Sequence, residues 1–435
     1  VKRVLGPVER FLAIETSGGI LLMIAAVLAL GWANSPWREF YAQLWRIPIG
    51  LRFGGLEFER DLLFWINDGL MTLFFFVVGL EIRREIHAGE LSEIRRAMLP
   101  VAAAAGGMIV PALIFALLNY GRSSAPGWAI PMATDIAFAV GIFALLGKRV
   151  APALRILLLA LAVIDDVGAI LVIAAFYSTE GAWSGFAVLA LGVFSTFVLQ
   201  MVAIRSPFAY LGPGILVWAG AYSAGIHPTL AGVIMGMLTP AKAWHGPDGF
   251  VAQTEAKLRS LRSGDVSDGS KLLSHLGDMT AVNREAVSPV ERLQHMLHGW
   301  VAFAVMPVFA FANAGVSVGR ISLDGDSLWL FMGITLGLAL GKPVGILLAS
   351  WLAVRSGGAS LPRGVRWPAV TAVGMVGGIG FTMALFVAQL AFPGGAYLEV
   401  STLAILCGSG LAALLSLLVG HRILRPAASS SRTET

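Results

Sequence analysis

Residues 154–177 read LRILLLALAVIDDVGAILVIAAFY, an apolar run with two adjacent acids, Asp165 and Asp166, at its centre. Ile156 to Val163 precede the pair without a charge, and Val167 to Phe176 follow it in the same way. The acids therefore sit inside the run rather than at a helix end. A carboxylate within a hydrocarbon-spanning helix is costly and marks a functional site by default. Consecutive positions on an α-helix differ by about 100° in direction, so the two carboxylates cannot face one common partner. One can meet a neighbouring helix while the other faces an ion cavity.

The rest of the chain makes hydrocarbon the solvent to assume. Of 435 residues, 57% are hydrophobic and 13% charged, against roughly 25% charged in an average soluble domain. Mean hydropathy is +0.78. Runs of roughly 17 to 25 apolar residues can each cross a bilayer, and about twelve occur. They lie near 12–33, 62–85, 97–118, 128–146, 153–177, 183–204, 208–222, 226–238, 291–315, 328–354, 368–392 and 398–420. The expected fold is an all-α polytopic membrane protein, with one transporter domain over 1–435.

A net charge of +5 would suggest nucleic acid in a soluble protein. Here most of the Lys and Arg collect in alternate loops, at Arg83, Arg84, Arg95, Arg96, Lys148 and Arg149 for example. That is the asymmetry of cytoplasmic loops. It removes nucleic acid as a partner, makes the lipid bilayer the surrounding one, and predicts that both termini are cytoplasmic. Lys2-Arg3 and the apolar run after them read as the start of a first span, because the run is long and carries Glu15, unlike a cleaved signal. The sole cysteine, Cys407, excludes a disulfide framework or a cysteine zinc set and reads as a small buried packing residue.

Three other segments depart from short connections. Residues 47–60, IPIGLRFGGLEFER, alternate apolar and polar around Gly54-Gly55 and predict an extracytoplasmic β-hairpin. A lone hairpin is marginal in water, and in a symmetric assembly a second copy is the cheapest partner, so a homodimer through 47–60 is expected. Residues 240–290 are rich in Ser, Asp, Gly, Lys and Arg and predict a flexible cytoplasmic loop with a short helix near 251–263. Residues 425–435 read as a disordered tail.

Two further charges lie where water is scarce. Lys342 is embedded in GLALGKPVGILLAS and needs a carboxylate partner. Asp135 lies in GWAIPMATDIAFAVG, where Gly127, Pro131 and Thr134 weaken a continuous helix. A matching interruption occurs in VGMVGGIGFTMALFVAQ, with Gly374, Gly377, Gly378 and Gly380. Paired interruptions in two halves point to a transporter's midplane site. Their half-helix ends carry partial charges, which Asp135 could meet at two N-termini and Lys342 at two C-termini. Carboxylates are hard oxygen ligands suited to a hard cation. A carboxylate site open to one side at a time can hold a cation or protons, so the two compete and antiport follows.

Several segments together resemble the NhaA-type sodium/proton antiporters. They are ATDIAFAVG at 133–141, LALAVIDDVGAI at 159–170, GLALGKPVGI at 337–346 and GGIGFTMALF at 377–386, with WINDGLMTLFFFVVGLEIRRE at 65–85, HPTLAGVIMG at 227–236 and FAFANAGVS at 309–317. The resemblance runs from about residue 11 to 425. It implies inverted repeats of three helices, spans 3–5 recurring as 10–12, with two crossed discontinuous helices, spans 4 and 11. It also implies electrogenic, pH-regulated exchange of cytoplasmic Na+ or Li+ for external H+ in a bacterial inner membrane, serving sodium and pH homeostasis, with no cofactor.

The same resemblance implies residue roles. Asp165 and Asp166 resemble the exchanging pair, with Asp166 the more direct Na+ ligand. Asp135, Lys342 and Thr134 resemble the groups that balance the crossed half-helices, and Lys342 the salt-bridge partner of Asp165. Asp68, Glu81, Arg84, Glu85, His227, His295 and His298 match positions of the cytoplasmic funnel and its pH response. Ala243, Trp244 and Gln294 depart from the family pattern of charged residues, as does the long loop before Glu291, so a broadened or shifted pH profile is expected.

Two other classes use intramembrane acids. An intramembrane aspartyl protease needs two carboxylates facing each other from separate helices, which the adjacency of Asp165 and Asp166 and the lack of a GxGD segment disfavour. A different cation-coupled transporter or a channel would be separated by Na+- and Li+-induced proton movement.

Overall fold

The computed structural model describes residues 16–53, 56–202, 204, 206–243, 246–263, 286–362 and 365–424. The expected 425–435 tail, the Gly54-Gly55 turn, Trp244 and residues 264–285 of the long loop lie outside the described residues. Most of the chain is helical, the form in which an apolar segment satisfies its own backbone in lipid.

The helices follow in order as α1 (Thr16–Ala33), α2 (Arg38–Leu44), α3 (Leu62–Ala88), α4 (Ile94–Leu118), α5 (Ile136–Leu145), α6 (Pro152–Phe176), α7 (Trp183–Met201) and α8 (Leu211–Ser223). Then come α9 (Leu230–Leu238), α10 (Gly246–Ser263), α11 (Pro289–Asn313), α12 (Gly325–Arg355), α13 (Trp367–Gly377), α14 (Phe381–Ala391) and α15 (Ala396–Ile423). A 3-10 segment, Ala125–Met132, precedes α5.

Seven of these helices are long and apolar enough to cross a membrane, or up to ten if each of three bent pairs counts once. The expected twelve include α8 and α9, whose 13 and 9 residues fall below the roughly 17 needed for a full crossing. α10 starts at Gly246, earlier than the helix expected near 251–263.

Two of the bends are the interruptions read from the glycines and Pro131. Ala125–Met132 meets α5 at 42°, and α13 meets α14 at 47°. Three long helices contain π-helical turns, at Trp65–Leu70 in α3, Val301–Val305 in α11 and Gly337–Gly341 in α12. Such turns re-aim side chains without ending a helix and recur at functional sites. The one in α12 ends immediately before Lys342.

Small residues set how close α12 comes to α4. A Cβ on Gly106 would stand 2.2 Å from the Gly345 carbonyl oxygen, and one on Gly345 would stand 2.1 Å from that of Gly106. Only glycine permits this approach, which carries Lys342 into the interior, where it is completely buried.

The hairpin comprises β1 (Pro48–Phe53) and β2 (Leu56–Asp61), antiparallel from Pro48↔Asp61 to Phe53↔Leu56. It rests on its own chain: Phe58 packs edge-on against Phe64, Trp65, Trp218 and Tyr222. Arg60 Nε donates to the Tyr222 hydroxyl at 3.1 Å. This contact with α8 supplies part of the support that the sequence reading sought in a second copy. Cys407 departs from expectation. It is exposed on α15 rather than buried, because its direction is away from the face formed by Ala404, Ile405 and Gly408.

Candidate functional site

Asp135 occupies the break before α5 in extended conformation and caps that helix, its Oδ1 accepting from Phe138 N at 3.0 Å. Its Oδ2 accepts from Thr382 N at 3.1 Å and from the Thr382 hydroxyl. One carboxylate thus serves the N-terminal turns of α5 and α14 together, the favourable end of a helix dipole for a negative charge. The backbone joins the two breaks directly, Asp135 N donating to Ile379 O at 2.8 Å.

The positive side is divided differently from the expectation. Lys342 Nζ donates to the carbonyl of Met132, which ends the 3-10 segment, but the carbonyl of Gly377, which ends α13, accepts from Thr134 Oγ1 at 2.9 Å. One C-terminus therefore meets a charge and the other a hydroxyl. Lys342 also bonds Asp165 Oδ2 at 2.5 Å. Thr134 Oγ1 lies 2.6 Å from that same oxygen. A threonine hydroxyl has one proton, so Thr134 can donate to Asp165 or to Gly377 O, not to both.

Asp165 and Asp166 then differ as their helical offset requires. Asp165 is 1% exposed and faces Lys342 and Thr134 through Oδ2, while its buried Oδ1 has no hydrogen-bond partner among the described residues. Asp166 is 2% exposed. Its charged neighbours are Asp165, Glu81, Lys342 and Asp135, and among the described residues no group donates a hydrogen bond to its carboxylate. Asp165 Oδ1 and the Asp166 carboxylate are thus left without donors, hard oxygens able to accept a cation or a proton. No cluster of three or more His, Cys, Asp or Glu fit for a resident metal occurs among the described residues.

The remaining expected residues form two outlying groups. Asp68, in the π turn of α3, pairs with His227 Nε2 at 3.3 Å, and His227 Nδ1 lies 2.8 Å from Thr229 Oγ1. This pair stands near the hairpin end of α3, not at the end that carries Arg84, so the structure separates residues that the resemblance put in one cytoplasmic funnel. Near the end of α3, Arg84 stands 3.9 Å from Glu81 and 3.3 Å from Glu85, and it donates to Gln294 Oε1 at 3.1 Å. The amide of Gln294 thus takes a place that an acid would fill with charge. His295 and His298 are exposed on α11 and are not brought to either group.

Sequence reasoning missed Thr382, whose hydroxyl and amide complete the Asp135 cap. Its signal was a hydroxyl residue two positions after Gly380, the last glycine of the break. It also missed a set of amides, the buried Asn67 and Asn313 and the half-buried Gln389, joined by hydrogen bonds.

The chain matches the model of the family described as Na+/H+ antiporter 1 over residues 9–419. It is 54% identical over 424 residues to Na(+)/H(+) antiporter NhaA 2 of Sorangium cellulosum, with 97% of this chain and 91% of the relative covered. It is 52% identical to Na(+)/H(+) antiporter NhaA 2 of Myxococcus xanthus, with 98% and 92% covered. A third relative, Na(+)/H(+) antiporter NhaA of Bartonella bacilliformis, is 45% identical, with 95% and 92% covered. With its motifs in order and these matches across nearly the whole length, the chain belongs to the NhaA-type Na+/H+ antiporter family, whose members are secondary transporters and not enzymes.

Proposed function

We propose that this chain exchanges cytoplasmic Na+ or Li+ for external H+ at Asp165 and Asp166 by alternating access. The observation that carries the reading is the split between the two acids. Asp165 Oδ2 is engaged by Lys342 at 2.5 Å, while Asp165 Oδ1 and the carboxylate of Asp166, the next residue along α6, have no hydrogen-bond partner among the described residues. The free oxygens provide hard ligands for Na+ or Li+. Protons bind the same oxygens, so a site open to one side at a time carries one or the other.

Lys342 makes the exchange a coupled event. A buried lysine whose counter-ion is neutralised is left as an uncompensated charge, so protonation of Asp165 requires the pair to part or Lys342 to lose a proton. Asp135 and Thr134 hold the broken helices in register around this exchange. Resemblance further supports electrogenic transport, with more protons than sodium ions moved per cycle. It also supports twelve spans with spans 4 and 11 crossed, both termini in the cytoplasm and the hairpin outside. A homodimer through 47–60 in a bacterial inner membrane is part of the same reading. Asp68 with His227, and Glu81 and Glu85 with Arg84, are assigned to the pH response, which Gln294 and Ala243 broaden.

The test is Na+- or Li+-induced pH change in everted vesicles that contain the protein. Cation-dependent proton movement is expected, and Asp166→Asn is expected to abolish it. Undiminished movement in that variant would overturn the assignment of the site.

A further inference from the structure

Thr382, Phe386 and Gln389 follow one another at the spacing i, i+4, i+7 on α14, so they form one stripe on that helix. At one end of the stripe Thr382 bonds Asp135 through both its amide and its hydroxyl. In the middle, the ring of Phe386 packs at 5.1 Å from Phe75, 5.3 Å from His227 and 6.3 Å from Phe309. At the other end Gln389 enters the amide set. Asn67 Nδ2 donates to Asn313 Oδ1 and to Gln389 Oε1, each at 3.2 Å, and Asn313 Nδ2 donates to Asn67 Oδ1 at 2.8 Å. Gln389 Nε2 donates to Asn313 Oδ1. Asn313 Nδ2 also reaches Phe309 O at 2.9 Å.

The three amides belong to three different helices. Asn67 sits in the π turn of α3, Asn313 ends α11 and Gln389 lies in the last turn of α14. Gln389 is about 10 Å along α14 from Thr382, at 1.5 Å per residue. Asn67 follows β2 by six positions, which sets the amides toward the hairpin end of the molecule, with Phe386 between them and Asp135.

We propose that Asn67, Asn313 and Gln389 form an amide latch that holds α14 closed over the hairpin side of the site, and that its release opens Asp165 and Asp166 to the outside. The proposal rests on the exchange reading above and on the hairpin being external. Amides suit a seal that must open and reclose. Their bonds can be traded for bonds to water at small net change, whereas a wholly apolar seal offers water no partner. Because α14 starts at the glycine break, its outer end can swing while Thr382 stays on Asp135. The latch residues are positioning residues and touch neither acid.

The experiment uses the full chain in oriented membrane vesicles, with Gln389→Met, which keeps side-chain length and removes both hydrogen bonds. Releasing the latch raises the population open to the outside, so the KM for Na+ at the outer face is expected to fall about three- to tenfold, the worth of one or two such bonds. The KM at the inner face is not expected to fall. In purified protein without Na+, amide hydrogen exchange across residues 384–391 is expected to quicken. Asn67→Leu, which breaks the latch from α3, is expected to act in the same direction on both readouts, so the test survives if one variant fails to fold.

Equal KM changes at the two faces, or unchanged hydrogen exchange over 384–391 in both variants, would overturn the latch. A wild-type chain that moves no protons on addition of Na+ would instead remove the exchange reading. In that case the hydrogen-exchange measurement alone decides whether the amides restrain α14.

Discussion

Two groups of acids and bases lie along the same bundle and are held in opposite ways. Around the breaks, Asp135, Asp165 and Lys342 are at most 1% exposed and every link is short: Lys342 to Asp165 at 2.5 Å, Thr134 to Asp165 at 2.6 Å, Asp135 to Phe138 N at 3.0 Å. At the end of α3, the Arg84 side chain is 40% exposed and stands 3.3 Å from Glu85 and 3.9 Å from Glu81. Water reaches the second group from the Arg84 side, its Glu81 and Glu85 side chains being 19% and 16% exposed, and is excluded from the first. An exposed ion pair contributes about 0–1 kcal/mol, whereas breaking a buried one leaves a stranded charge. The first set therefore determines whether the site exists, and the second can tune it without endangering the fold.

The largest way to break this contrast is to strand a charge. Lys342→Met leaves Asp165 buried without its counter-ion and is expected to cost roughly 3–5 kcal/mol. Thermal unfolding of the detergent-solubilised protein would show it as a lowered Tm. Lys342→Met combined with Asp165→Asn removes both charges and is expected to regain much of that loss while remaining inactive in exchange. A double variant as unstable as the single one would mean that Lys342 acts by packing against α4 rather than by charge.

Asp135→Ala is next in size. One side chain answers the first turns of two helices, α5 and α14, and each cap is worth about 0.5–2 kcal/mol. The expected loss is about 2–3 kcal/mol in stability, together with impaired exchange because Asp135 fixes the break that carries Thr134 to Asp165. Asp135→Asn can still accept from one backbone amide and is expected to fall between the wild type and Asp135→Ala. Equal effects of the two substitutions would assign the role to the charge rather than to the hydrogen bonds.

What could be read in the sequence follows the same physical division. Asp165, Asp166 and Lys342 stood out because a charge in an apolar run has few innocent explanations, and the glycines and Pro131 marked the breaks because they weaken helices locally. The angular offset between adjacent helical positions is enough by itself to send the two acids to different surroundings. Asn67, Asn313 and Gln389 were silent because neutral amides occur freely in spans, and only tertiary packing brings them together, whereas Thr382 had its place behind the glycine break as its one signal. The π turns were silent too, since they change the aim of a side chain without leaving a composition. His295 and His298 show the converse: resemblance assigns them to the pH response, yet they stay on an exposed face of α11 and join neither charged group.

The smallest effect on stability, and the sharpest test of the contrast, lies at Gln294. Arg84 donates to its amide oxygen at 3.1 Å, and Glu81 and Glu85 already flank the same guanidinium. Gln294→Glu puts a third carboxylate there, one that carries charge only when deprotonated. The change in stability is expected to stay within about 1 kcal/mol, as for other half-exposed pairs. Exchange measured across pH is expected to narrow in Gln294→Glu relative to the wild type, because a further titrating group must then reach its working state together with its neighbours. Raised salt should blunt the difference, since these charges are in reach of screening ions. The same salt should leave the Lys342–Asp165 pair untouched. If the two profiles coincide at low salt, Gln294 does not set the pH response, and the cluster around Arg84 serves only to hold the end of α3 against α11.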